Sequence, residues 1–263
     1  STATVARRRA CGDNQRVHRV RLIVAWATMG LALVAFCASS YLEADSGAYS
    51  SGLLENAAFT AAWLSTTGVG FLLAIKQERN AIGWILLASG FYLTLLGFST
   101  SYENYGVLAH PDSLPATEWA VLFGAQTWPV LFVGITAVAY LFPTGALPAG
   151  RWRPIASVAA VSFIVLTLVT PFTPEAFPDP FVAVENPLPT LDYGLYALLI
   201  NLGMVGALAG MIGAALSVRS RLKVAGGKER LQLRLLAYSA SIIPAAMVVC
   251  LTEIAISGDD GPA

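Results

Sequence analysis

Long apolar runs alternate along this chain with short polar gaps, and the gaps themselves alternate between basic and acidic. The runs predict seven helices, at about 22–42, 56–75, 82–101, 120–142, 155–171, 195–217 and 235–256. Each approaches or exceeds the roughly 18 to 20 residues needed to cross a hydrocarbon core of about 30 Å. Apolar on all sides, they carry no amphipathic stripe of the kind a soluble helix needs. In lipid a spanning segment must satisfy its own backbone, as a helix or as part of a closed barrel. The ten-residue alternating segments of a barrel are missing, so the pattern predicts an all-α, polytopic helix bundle. The first run lacks a small-residue cleavage pattern and is followed by six more, which makes it a retained helix rather than a signal peptide. Pro129 and Pro244 fall inside the fourth and seventh runs and should kink them.

The gaps orient the bundle. All sixteen Lys and Arg residues fall in alternate gaps. Arg7, Arg8, Arg9, Arg16, Arg19 and Arg21 lie in the N-terminal tail, Lys76 and Arg79 in the second gap, and Arg151 and Arg153 in the fourth. Arg219, Arg221, Lys223, Lys228, Arg230 and Arg234 lie in the sixth. The intervening gaps hold Glu43, Asp45, Glu55, Glu103, Asp112, Glu118, Glu175, Asp179, Glu185 and Asp192 and no base. Basic residues concentrate on the cytoplasmic side of short-looped membrane proteins, so the N-terminus is expected inside. The expected organisation is a basic cytoplasmic tail (1–21), a seven-helix transmembrane domain (22–256) and an acidic extracytoplasmic tail (257–263). A multi-pass protein of the cell inner (plasma) membrane is the implied location. Aromatic residues bracket the spans as an interfacial belt does: Trp26, Trp84, Tyr140, Trp152 and Tyr238 inside, and Tyr41, Tyr102, Tyr105, Trp119, Tyr193 and Tyr196 outside.

The gaps also differ in build. The turn from Lys76 to Ala81 is tight and ties the second and third helices into a hairpin. The outer gap from Pro171 to Gly194 holds Pro171, Pro174, Pro178, Pro180, Pro187 and Pro189, which exclude helix and predict a semi-rigid cover or arm. The stretch from Ser217 to Arg234 reads as a helical hairpin turned by Gly226 and Gly227. In the sixth helix, Gly203, Gly206, Gly210 and Gly213 share roughly one face. That spacing suits close packing within the bundle, with a homodimer face as the other reading.

Chemistry is sparse. With 56% apolar and 12% charged residues, the chain lies far from a soluble domain, in which about 25% are charged. Helices two to six carry no ionisable group in their cores, and intramembrane charges normally mark proton relays and ion paths, so a pump or coupled transporter is disfavoured. Helix seven has no Lys for a retinal Schiff base, and an inner N-terminus is the wrong orientation for a G-protein-coupled receptor. Gly226-Gly227-Lys228-Glu229 lacks the first glycine and the hydroxyl residue of a phosphate loop. His18 and His110 lie on opposite sides and cannot share a metal; His110 is either an ordinary loop residue or an external pH sensor. Cys11, Cys37 and Cys250 give no disulfide framework. No cofactor and no nucleic-acid partner is expected. Gln126, Trp128 and Asn201, with Glu253, would line a shallow outward pocket, unless the amides simply bond between helices.

Three segments carry a resemblance. Asn80-Ala81-Ile82-Gly83-Trp84 opens the third helix. Leu141-Phe142-Pro143-Thr144-Gly145-Ala146-Leu147-Pro148, followed by Arg151-Trp152-Arg153-Pro154, joins the fourth and fifth. Lys228-Glu229-Arg230-Leu231-Gln232-Leu233-Arg234 leads into the seventh, followed by Ala237-Tyr238. Together they resemble the N-terminal membrane region of sensor histidine kinases from high-GC Gram-positive bacteria. Ala146 and Leu235 depart from the family pattern, and the phosphoacceptor helix and nucleotide motifs of the kinase core are absent from this chain. The resemblance implies a signal-input module of a two-component system, without catalytic activity of its own. Its partners would be the lipid bilayer and a second copy or a cytoplasmic signalling protein. Arg151, Trp152, Arg153, Glu229, Arg230 and Arg234 would form a cytoplasmic relay. Seven spans from an inner N-terminus end outside, so a kinase would require a further crossing helix after Ala263. A small permease or channel, and a structural membrane protein without ligand, are the alternatives.

Overall fold

The computed structural model describes residues 2–46, 53–77, 80–227, 230–231 and 233–234. The described residues are all-helical and contain no strand. Seven helices follow in order: α1 (Thr2–Ser46), α2 (Leu53–Lys76), α3 (Ala81–Glu103), α4 (Thr117–Gln126), α5 (Pro129–Leu141), α6 (Trp152–Val169) and α7 (Tyr193–Val224). A π-helical turn, Asn104–Ala109, continues α3, and a 3-10 turn, Thr170–Phe172, continues α6. Four segments are long and apolar enough to cross a membrane: Gln15–Ser46, Ala81–Ala109, Trp152–Phe172 and Tyr193–Val224. The α4–α5 pair passes the same test as one broken span. Large apolar side chains such as Ile23, Val34, Val161, Leu168, Val205 and Leu208 point outward, as lipid-facing helix surfaces require. The chain is a polytopic membrane helix bundle.

The count of seven hides two changes from the sequence reading. The predicted fourth helix, 120–142, is two helices bent by 42° at Thr127-Trp128. Pro129 is the cause: it has no amide hydrogen and its ring clashes with the preceding turn, so it starts α5 instead of continuing α4. The predicted seventh helix, 235–256, with Tyr238, Pro244, Cys250 and Glu253, lies outside the described residues. The first helix runs back through the basic tail to Thr2, beyond the apolar run that predicted it.

Local chemistry sets the other ends. Asn80 starts α3 by accepting the Ile82 amide on its side chain (3.0 Å), and Asp192 starts α7 by accepting that of Leu195 (3.2 Å). Helix α7 stops at Ala225, and Gly227 then takes the left-handed conformation (φ +53°) that the predicted hairpin turn needs. Beyond it Arg230 and Arg234 are exposed while Leu233 is fully buried.

Helix α3 is central and touches α1, α2, α4 and α5, while α6 and α7 form a hairpin held through α5. Both hairpins are glycine-packed. On α7, Gly203 meets Leu166, Gly206 meets Ser162, Gly210 meets Ala159 and Gly213 meets Ile155 and Tyr140, which assigns the predicted glycine stripe to packing within the chain. On α3, Gly83, Gly90 and Gly97 lie seven residues apart against Ala74, Thr67 and Trp63 of α2. Contacts between helix ends show the alternation of direction. Ser39 near the end of α1 bonds Ser101 near the end of α3 (2.6 Å), whereas at the opposite end the turn after α5 meets Asn80 at the start of α3 and the end of α7 meets the end of α5. All basic gaps thus share one end of the bundle and all acidic gaps the other. Tyr140 departs from the aromatic belt: it is buried, and its hydroxyl donates to Gly210 O (2.8 Å), linking α5 to α7.

A candidate junction at the basic end

At the basic end, α5 finishes at Leu141 and leaves its last carbonyls without partners inside the helix. Arg221, in the last turn of α7, supplies them. Its guanidinium donates to Ala139 O and Phe142 O, and its Nε donates to Ser217 O of its own helix (3.3 Å). A fixed positive charge at a helix C-terminus also complements the helix dipole. The fork geometry of arginine allows both carbonyls to be held at once, which a lysine could not match.

The chain then turns at Pro143-Thr144-Gly145. Gly145 has φ +74°, and a Cβ there would stand 2.8 Å from Asn80 Oδ1, the atom that caps α3. The turn therefore rests directly on the start of α3. The Asn80–Trp84 and Leu141–Pro148 segments, distant in sequence, form one corner with Arg221. Next to it, Ser217 is fully buried with its hydroxyl unpartnered, and Thr136 Oγ1 on α5 is likewise without a partner among the described residues. Arg151 lies over the Trp152 ring (4.8 Å to its centre) at the start of α6, and Arg151 and Arg153 are exposed. No hydrogen bond or ion pair joins them to Arg230 or Arg234 among the described residues, and Glu229 is outside that set. The predicted relay residues thus share an end but not a network; the side chain that connects helices is Arg221. In the sequence it is one base among six. Its signal is faint: an Arg one turn after Ser217, at the end of a glycine-faced helix.

The outer polar residues are dispersed. Gln126 and Trp128 flank the α4–α5 break, and Trp128 packs its ring edge on Phe132 (6.1 Å, 79°). Asn201 is exposed on α7 and donates to Ala197 O in its own helix (2.7 Å), not across to another. The break itself is bonded by hydroxyls. Tyr92 OH on α3 donates to Thr127 O (2.7 Å), Thr127 Oγ1 to Phe123 O (2.7 Å), and Thr170 Oγ1 at the end of α6 to Gln126 O (2.8 Å). Above it the proline-rich segment forms the predicted cover. Phe177 is buried with Val121 and Leu122, and Phe181, Val184 and Leu188 pack around them. No group of three or more His, Cys, Asp or Glu side chains suited to a metal occurs among the described residues. No family model, curated protein or solved structure matches the chain.

Proposed function

We propose that the chain is the signal-input region of a membrane sensor, with no catalytic activity of its own. In this reading it sits in the plasma membrane, with the basic end in the cytoplasm. The observation that carries it is the Arg221 junction. One side chain from α7 holds the end of α5, and the turn after α5 rests on the cap of α3, so a shift of α7 must register at three helix ends together. An element with two discrete packings at such a point is what a transmembrane switch needs. Two of the three segments that resemble the sensor-kinase membrane region are gathered at this corner. The third lies just past the turn that follows Arg221, where a cytoplasmic output or a second copy would be engaged.

A permease is the less favoured reading. Discontinuous helices in transporters leave unwound carbonyls free for the transported ion. Here the carbonyls of Phe123, Gln126 and Thr127 at the broken span already accept from hydroxyls.

Spin labels at Thr144 and Lys223, both exposed, test the reading on the cysteine-free chain in lipid nanodiscs. Two distance populations are expected, with Arg221→Ala redistributing them. One narrow population, unchanged by Arg221→Ala, would refute a switch at this junction. Rapid solute or ion flux through the same protein in sealed liposomes would decide for a permease.

A further inference from the structure

Glu103 is the last residue of α3, about 33 Å from Ala81 at 1.5 Å per residue. Although it belongs to an acidic gap in the sequence, it is only 7% exposed. Its carboxyl makes no hydrogen bond and no ion pair among the described residues. It faces the backbone of Gly124 in α4, where a Cβ would stand 3.0 Å from Oε2 and 3.3 Å from Oε1. The π-helical turn Asn104–Ala109 begins at the next residue, and such turns are frequent at functional sites.

No Lys or Arg pairs with this carboxyl among the described residues. The sequence has no Lys or Arg between Arg79 and Arg151, between Arg153 and Arg219, or after Arg234. The elements around it bring acids or nothing. Helix α1 brings Glu43, bonded by Ser101 (2.8 Å), and Asp45, bonded by Tyr105 (2.9 Å). Helix α2 carries Glu55 near its start, α4 carries Glu118 in its first turn, and α5 carries no charge. The cover brings Glu175, Asp179 and Glu185, and the α3–α4 loop brings Asp112 and His110. His110 is exposed, with its ring against Tyr105 (4.6 Å). Ionised, this carboxyl would have no cation beside it and would need hydration, and the surrounding acids add repulsion.

We propose that Glu103 is a proton-binding site at the acidic end of the bundle: packing of α3, α4 and the proline-rich cover requires the neutral acid, and ionisation opens that packing. The proton comes from solvent on the acidic side and forms the O–H bond of the carboxylic acid; its loss leaves a carboxylate that must be hydrated. The element free to respond is α4. It has only ten residues, no side-chain cap at Ala116 (φ +57°) and a break at its far end. Its hold on the cover is the Val121–Leu122–Phe177 contact, directly beside Gly124.

The test uses the full chain in nanodiscs. Infrared difference spectra between acidic and alkaline buffer should contain the carbonyl band of a buried, unbonded carboxylic acid. That band should be absent from Glu103→Gln and shifted, not lost, in Glu103→Asp. In a cysteine-free background, maleimide labelling of Leu122→Cys is compared with labelling of the exposed reference Ser113→Cys. Relative labelling of Leu122→Cys should rise by about tenfold per pH unit as the site ionises, and adding Glu103→Gln should abolish the rise. A Glu103 carboxylate that stays ionised into acid would overturn the proposal, as would a labelling rise that survives Glu103→Gln. If sodium or potassium at constant ionic strength removes the carbonyl band, the occupant is a metal cation and the proton assignment is wrong.

Discussion

Substituting Gly210 with alanine adds one methyl where α7 lies hardest against α6. The new Cβ would overlap Ala159 Cβ and stand 2.9 Å from Ala159 Cα, a backbone atom that no rotamer can move. Since carbon atoms rest at about 3.5–4.0 Å, the helices must part by roughly an ångström. Overpacking of this kind costs about 1–3 kcal/mol. The same displacement pulls Gly210 O away from the Tyr140 hydroxyl, now at 2.8 Å, for a further net loss of about 0.5–1.5 kcal/mol. Replacing glycine by alanine in a helix returns about 1 kcal/mol by itself. Gly68→Ala isolates that gain, because a Cβ at Gly68 meets nothing within 4 Å. Gly210→Ala should therefore be less stable than Gly68→Ala by roughly 2–4 kcal/mol. Reversible unfolding in mixed detergent micelles, followed by circular dichroism, measures the difference. Equal stability of the two variants would refute the close-packed α6–α7 interface.

Other expectations follow from the polar joints. Arg221→Ala should cost roughly 1–2 kcal/mol, discounted for partial exposure, and speed proteolysis of the 143–150 turn; Arg221→Lys should restore less than half. Tyr92→Phe should cost about 1 kcal/mol by freeing the Thr127 carbonyl at the break, measured by the same unfolding assay. For topology, cysteines at Ser113 and Thr190 should react with an impermeant thiol reagent in intact cells. Cysteines at Gln77 and Gly150 should react only after permeabilisation, and labelling of Gln77 from outside would overturn the orientation.

The hydrophobic pattern was enough to read most of the fold, because a lipid solvent leaves a spanning segment few backbone solutions. The glycines of α7 were legible for the same reason: small residues on one face have few uses besides close approach. The matching series Gly83, Gly90 and Gly97 on α3 is harder to see in the sequence, because glycines seven apart are diluted by the large residues between them. Pro129 announced a kink, but whether a proline bends a helix or divides it depends on partners for the freed carbonyls, and Tyr92 and Thr170 are remote in sequence. Glu103 looks in sequence like a loop acid because Ser101, Tyr102 and Asn104 around it are polar. Its burial comes from α4 folding over it, which no local pattern reports. Arg221 likewise looked like its neighbours in a basic stretch, since the carbonyls it caps belong to another helix.

The glycines of α7 follow one another by three, four and three residues, about one turn at each step. A helix faced in this way resembles a ladder with nearly equal rungs. Moved by one turn, it would again set a glycine opposite most of the groups on α6, so apolar packing alone does not decide which rung is occupied. That choice falls to two polar links outside the ladder, the Tyr140 hydroxyl on Gly210 and the Arg221 fork on the end of α5. The close contact gives the pair its strength, and the index of its position is held by α5.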